Sequence, residues 1–201
     1  QSFCGNGSRC AVHFAFASSI INENSCSFEA IDGIHKAFVC QDEVKIEMSH
    51  IGVIEKINTS IMKDSRGESY IVDTGSPHFV SYVKNKEGLN SIIEYGKKIR
   101  YSDVFNDKGV NVNLIHSEDS NRIQIRTYER GVEDETFSCG TGATACALIH
   151  SSRSNSKQNI IDIETRGGAL KVSFDKMKEG HFTNVYLIGP VKQIFHGQIE
   201  I

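Results

Sequence analysis

Two copies of one short pattern constrain this chain more than any other feature: Cys4-Gly5-Asn6-Gly7 and Cys139-Gly140-Thr141-Gly142. Each sets a thiol ahead of a glycine-flanked turn that runs into a helix-forming segment, residues 8–21 in the first case and 142–150 in the second. A sulfur at a helix N-terminus sits in the positive end of the aligned peptide dipoles, which favours thiolate and lowers its pKa. The amides that the glycines free can also cradle an anion such as a carboxylate. One such pattern is a weak signal, since glycines serve a tight turn around a buried structural thiol equally well. Two in one chain predict a duplicated half-site, with a pair of activated thiols facing one substrate from opposite sides.

The remaining periodicity fits that duplication. Short strands are predicted over 27–31, 36–40 and 44–48, with a turn at Ile31-Asp32-Gly33. The polar stretch 58–69 reads as the connection between two halves. Strands then follow over 70–73 and 78–83, a helix over 89–100, and strands over 109–116 and 122–130. Four further strand-like runs come after the second helix. Gln1 is not Met and no strand precedes the first motif, so a segment upstream is expected.

Composition bounds the reading. A net charge of −3 with mixed signs and no basic run gives no support to a nucleic-acid or membrane-surface partner. The longest apolar run, 10–21, is too short to span a bilayer. Six cysteines in 201 residues do not suit the disulfide framework of a short secreted chain. Cys10, Cys26, Cys40 and Cys146 fall in apolar stretches and are expected as small buried hydrophobes, in a reducing cytoplasm. No metal is expected, because no C-x-x-C or H-x-x-x-H spacing occurs. No G-x-G-x-x-G after a strand, P-loop or pyridoxal-phosphate lysine motif calls for a cofactor.

Opposed thiols suit proton abstraction from a stereocentre with redelivery on the other face. A single base returns the proton to the side it came from, so inversion needs a thiolate base and a thiol acid, with roles exchanged in reverse. The carbanion then needs donors aimed at its carboxylate, which helix N-termini provide.

At this point the residues carry a resemblance. Cys4-Gly5-Asn6-Gly7-Ser8-Arg9-Cys10, Tyr128-Glu129-Arg130-Gly131 and Glu135-Thr136-Phe137-Ser138-Cys139-Gly140-Thr141-Gly142-Ala143 resemble diaminopimelate epimerase. Gly75-Ser76-Pro77-His78 and Gly109-Val110-Asn111-Val112 fall in the family's order between them. The resemblance implies an α/β (α+β) fold of two pseudo-symmetric halves, each a curved, mostly antiparallel sheet wrapped around a central helix, with the active site in the cleft between them. It divides the chain into residues 1–57 with 190–201 as one half and 58–189 as the other, the C-terminal strand 191–201 returning to the first. It implies a cytoplasmic, pyridoxal-phosphate-independent isomerase that interconverts LL- and meso-diaminopimelate, a small-molecule substrate of lysine and peptidoglycan precursor synthesis, and it leaves room for a homodimer.

Carried over residue by residue, the resemblance makes Cys4 and Cys139 the acid/base pair, assisted by His78 and Glu129. Gly5, Asn6, Gly140 and Thr141 then hold the reacting carboxylate, and Ser76, Asn111, Glu129 and Arg130 contact the other polar groups. Arg130 offers a planar fork for the distal carboxylate. Ser76 stands where the family usually has Asn. From the residues alone, His78 fills a turn as readily as it serves a reaction, Glu129 and Arg130 suit a solvated strand end, and Asn111 and Asn113 share a strand face that looks at water or at a ligand. Rival readings are a proline or hydroxyproline racemase, whose first motif resembles Cys-Gly-His-Gly where Asn6 stands here, and a phenazine-biosynthesis-like isomerase, which lacks the cysteine pair. A non-catalytic thiol-redox binding protein is the third.

Overall fold

In β2 (Gly33–Cys40) and β3 (Glu43–Glu47) every second residue is buried: His35, Ala37 and Val39, then Val44 and Ile46. That alternation gives each strand one face for the core and one for water. The computed structural model describes residues 3–58, 67–154, 158–177 and 180–197. Most of them are strand. β1 (Ser25–Ala30) opens a twelve-stranded sheet whose neighbours run β1-β2-β3-β12-β11-β10-β8-β7-β6-β5-β4. Here β4 is Glu55–Lys56, β5 Ser69–Asp73, β6 Pro77–Tyr82, β7 Asn111–Ser117 and β8 Arg122–Glu129. The last three are β10 (Ile160–Thr165), β11 (Gly168–Lys176) and β12 (Phe182–Pro190), while the short β9 (Asp134–Thr136) pairs with β8 alone.

Pairing is antiparallel except at β6–β7 and β8–β10. Between the first of these pairs the chain forms a 3-10 turn at Lys86–Ser91 and helix α2 (Ile92–Arg100). Between the second it forms helix α3 (Gly140–Ser154). A parallel neighbour needs such a crossover. β7 and β8 touch α2 and α3 alike, which is why they are buried nearly throughout instead of alternating.

The second half wraps α3. Every residue from Gly140 to Ser151 is buried, and small residues at its head (Gly140, Thr141, Gly142, Ala143, Thr144, Ala145) let strands approach on all sides. Helix α1 (Gly5–Ala17) buries only the stripe Gly5, Arg9 and Val12, against β2, β3 and the head of α3. The strand that ties the two ends together is β12, paired with β3 on one edge and β11 on the other. The run expected as a strand over 191–201 has no ladder over its described residues, 191–197; Val191 donates its N–H to the Asp42 carbonyl at 2.9 Å and packs against the core, and residues 198–201 lie outside the described residues. The predicted connection over 58–69 lies for residues 59–66 outside the described residues. Cys146 is buried as expected, but Cys10 and Cys40 are exposed: Cys10 lies off the buried stripe of α1, and Cys40 ends β2 on its outward-facing register. All six cysteines are unpaired.

Candidate active site

The two glycine turns are not turns before helices but the first helical turns themselves. Cys4, in extended conformation, is the N-cap of α1: its sulfur accepts the Gly7 N–H at 3.5 Å, and its carbonyl accepts the Ser8 N–H at 2.9 Å. Cys139 repeats the arrangement, its carbonyl taking the Ala143 N–H at 2.8 Å and its sulfur the amides of Thr141 and Gly142. Each thiol thus occupies the place where Ser, Thr or Asp usually caps a helix. The amides expected to be free for a substrate anion are partly engaged by sulfur.

The heads of the two helices meet. A Cβ built on Gly5 would lie 3.6 Å from the Gly140 Cα, and one built on Gly140 would lie 3.4 Å from the Gly5 Cα. Either would also stand 2.7 Å from the Leu187 Cδ2 of β12. Over this contact opens a cavity of about 260 Å³, lined by Cys4, Gly5, Asn6, Ser76, Asn111, Glu129, Arg130, Cys139, Gly140 and Thr141, with Phe3 and Ser138 completing the wall. Every residue singled out from the sequence lines it except His78, which is fully buried behind Thr141. Phe3 carried no local signal. Ser138 was legible only as the residue before Cys139. A larger hollow of about 320 Å³, bounded by Lys86, Gln124 and Arg166, holds no thiol, and its Arg126 and Arg166 are both tied to Glu135.

Polar groups brace the walls. Asn6 spans the two halves, its Nδ2 donating to the Ser138 carbonyl at 3.2 Å while its Oδ1 accepts from Arg9 Nη2 at 2.8 Å. Arg9 Nη1 also donates to the Gly5 carbonyl at 3.3 Å. Asn111 is buried: Nδ2 donates to the Ser76 hydroxyl at 2.8 Å, and Oδ1 accepts the backbone N–H of Arg130 at 2.9 Å. Ser76, short as it is, therefore holds the Asn111 amide. The Arg130 side chain donates to the Lys108 carbonyl at 2.8 Å and packs over Gly109, whose φ of +69° no β-carbon-bearing residue takes readily. Glu129 and Arg130 are half-buried at the cavity, not a solvated strand end.

The thiols differ in surroundings. Cys4 is exposed and Cys139 buried. Burial, reinforced by the Glu129 carboxylate, pushes the Cys139 thiol up to about 11, against the opposing pull of the Thr141 hydroxyl and the α3 amides. Desolvation outweighs the helix dipole there, so Cys139 rests as a thiol, not the thiolate its helix position predicts. Next to it, Thr141 Oγ1 lies 3.4 Å from the Cys139 sulfur and 2.9 Å from His78 Nε2. Burial, and then the Arg130 charge, push the His78 imidazole down to about 3. Among the described residues no group of three or more His, Cys, Asp or Glu side chains could hold a metal ion, and no helix is long and apolar enough to cross a membrane.

Comparison with known proteins adds a lineage to this geometry. A family model described as diaminopimelate epimerase matches residues 70–194. The chain is 40% identical over 201 residues to the diaminopimelate epimerase of Flavobacterium psychrophilum, covering 99% of this chain and 73% of that protein. It is 38% identical to that of Aquifex aeolicus, over 98% of this chain and 69% of the relative. Among solved structures it superposes on a probable proline racemase from Agrobacterium radiobacter with a TM-score of 0.72 at 16% identity, covering 100% of this chain and 68% of that one. A phenazine biosynthesis protein of the PhzF family from Bacillus anthracis gives 0.67 at 11% identity, over 94% of this chain and 73% of the other. At such identities these two structures speak for the shared fold alone, two halves around facing helices.

Proposed function

The chain belongs to the diaminopimelate epimerase family, and from that premise we propose that Cys4 and Cys139 invert the α-carbon of diaminopimelate by two-base proton transfer. It is an isomerase of lysine biosynthesis, acting on a small molecule. Inversion needs one sulfur deprotonated and the other protonated at the start. Cys139, held as a thiol by burial and Glu129, begins as the acid, which leaves the part of the base to Cys4 on the same cavity. The reverse reaction exchanges them. The amides at the heads of α1 and α3, with the Asn6 side chain, surround the reacting carboxylate, whose negative charge grows as the α-proton leaves, and Asn111 serves the substrate's other polar groups. Arg130, which also lines the cavity, takes the distal carboxylate. No cofactor enters this scheme, and the six unpaired thiols fit a reducing, cytoplasmic setting.

One observation supports this reading above the others. The glycine heads of two sulfur-capped helices touch, so both thiols border one cavity of small-molecule size. The test is α-hydrogen exchange in deuterated water, run with diaminopimelate, lysine and proline on the wild type and on Cys4→Ala and Cys139→Ala. Exchange with diaminopimelate is expected in the wild type, and in each variant epimerisation, which exchange with retention by the remaining thiol cannot supply, should fall by well over the roughly 10²–10⁴-fold of a single acid or base. Faster exchange with proline would select the racemase reading. Epimerisation that survives either Ala substitution would end the two-thiol mechanism.

A further inference from the structure

We infer that Asn113 is a positioning residue for Cys139: by donating to His78 Nδ1 it fixes the imidazole as an Nε2–H donor, which leaves the Thr141 hydroxyl proton for the Cys139 sulfur. The inference rests on the reading of Cys139 as a proton-transfer group and adds to it a relay of Asn113, His78 and Thr141, none of which the thiol chemistry by itself requires.

The direction of the relay follows from groups that can only accept. Asn113 Nδ2 lies 3.2 Å from the Phe79 carbonyl oxygen, which accepts and never donates, so that end of the amide carries the protons. Its Oδ1 accepts the Thr127 hydroxyl at 2.9 Å. The same Nδ2 is 3.0 Å from His78 Nδ1, which must then be the unprotonated nitrogen. A neutral imidazole in that state holds its proton on Nε2, and Nε2 points at Thr141 Oγ1 from 2.9 Å. Thr141 Oγ1 therefore accepts from His78, and its own proton is directed to the Cys139 sulfur at 3.4 Å. The Thr141 carbonyl, held by the Thr74 hydroxyl at 2.9 Å, fixes that residue from the other side. Asn113 and His78 are completely buried, so water does not compete for these bonds.

The motif itself makes room for the relay. A Cβ on Gly142 would lie 2.6 Å from Asn113 Oδ1 and 3.2 Å from His78 Cε1. The second glycine of Cys-Gly-Thr-Gly is thus the space into which Asn113 and His78 fit. The charges facing the sulfur are otherwise Glu129 on β8, which opposes the thiolate, and the Thr141 and Gly142 amides of α3, which favour it; Arg130 faces His78, and Cys146 lies deeper in α3. In this arrangement His78 supports the Cys139 thiolate through a hydroxyl and does not itself collect the proton.

Two measurements on the full chain test this without using diaminopimelate, so they stand or fall apart from the epimerase reading. Nitrogen NMR of 15N-histidine-labelled protein at neutral pH should show His78 protonated at Nε2 and bare at Nδ1; a proton on Nδ1, or a doubly protonated ring, would overturn the inference. The second follows iodoacetamide alkylation of Cys139 against pH, read by peptide mass spectrometry. At fixed pH below the thiol midpoint, Thr141→Val and Asn113→Leu should each slow alkylation by about tenfold, the loss of one hydrogen bond to a charged group, while Thr141→Ser keeps the wild-type rate. Folded variants of both kinds with the wild-type midpoint would contradict it. If either variant fails to fold, the NMR result on the wild type decides.

Discussion

Gly140→Ala probes the contact on which the whole site is built. The added methyl would stand 3.4 Å from the Gly5 Cα, an ordinary separation, but 2.7 Å from the Leu187 Cδ2. Carbon atoms not bonded to each other prefer about 3.5–4.0 Å, so roughly 1 Å of movement has to be found. Leu187 is fully buried in the middle of β12, between β3 and β11, so any swing of its side chain presses on packed neighbours. Part of the movement therefore falls on the head of α3, and Cys139 caps that head. Overpacking of this kind costs about 1–3 kcal/mol, which for a chain of this size lowers Tm by roughly 2–12 °C. A misplacement of about 1 Å at a reacting group costs about 10²-fold in rate. Leu187→Ala alone should cost about 2–5 kcal/mol through its cavity. In the double variant the methyl enters that cavity, so the combined loss should fall short of additivity by at least about 0.5 kcal/mol. Circular-dichroism melts and α-deuterium exchange kinetics on the four proteins of the cycle give both numbers. Gly140→Ala with wild-type Tm and turnover, or a strictly additive cycle, would refute the reasoning. Gly5→Ala meets the same Leu187 methyl at 2.7 Å and should behave alike.

His78, held down to about 3 from 6.5, binds fewer protons folded than unfolded between those values. Its contribution to stability is complete above about 6.5 and is lost as pH falls toward 3, a loss on the order of a few kcal/mol. Denaturant titrations along that range should show the acid limb flattened in His78→Gln, with a remainder from His150, which burial also lowers; an unchanged limb would count against it. Arg9 holds Asn6 and the Gly5 carbonyl, yet its Nε has no partner. Arg9→Met should cost more than about tenfold in turnover while leaving Tm near the wild type, since burying a charge that lacks an ionic partner stabilises little; a large fall in Tm with intact turnover would reverse that ranking. Arg130→Lys keeps the charge and the backbone bond to Asn111 but loses the planar fork. Steady-state kinetics should show kcat/KM for diaminopimelate reduced by at least about tenfold, or about 1.4 kcal/mol, and an unaffected value would remove Arg130 from the site.

What could be read from the residues in order was the chemistry of short range. One cysteine followed by Gly-x-Gly leaves a structural thiol open, but two copies in one chain made the thiol pair, the two helices and the doubled architecture legible in the string itself. The motifs around Asn111, Glu129 and Arg130 likewise named residues that do line the cavity. Tertiary structure decided the rest, because burial and register depend on chain segments far apart. Cys139 and Cys4 have the same motif, but only α3 is wrapped by strands, and that desolvation is what leaves Cys139 a thiol. Asn6 read as a substrate ligand and also bridges to Ser138 across the halves. Asn113 could not be told from a solvent-facing amide until the parallel pairing of β6 and β7 set it beside His78. Gly142 looked like turn chemistry and proved to be room for those two side chains. A dipole or a cap acts within one turn of helix and is written locally; a desolvation penalty or a hydrogen-bond relay exists only once distant strands have closed around it.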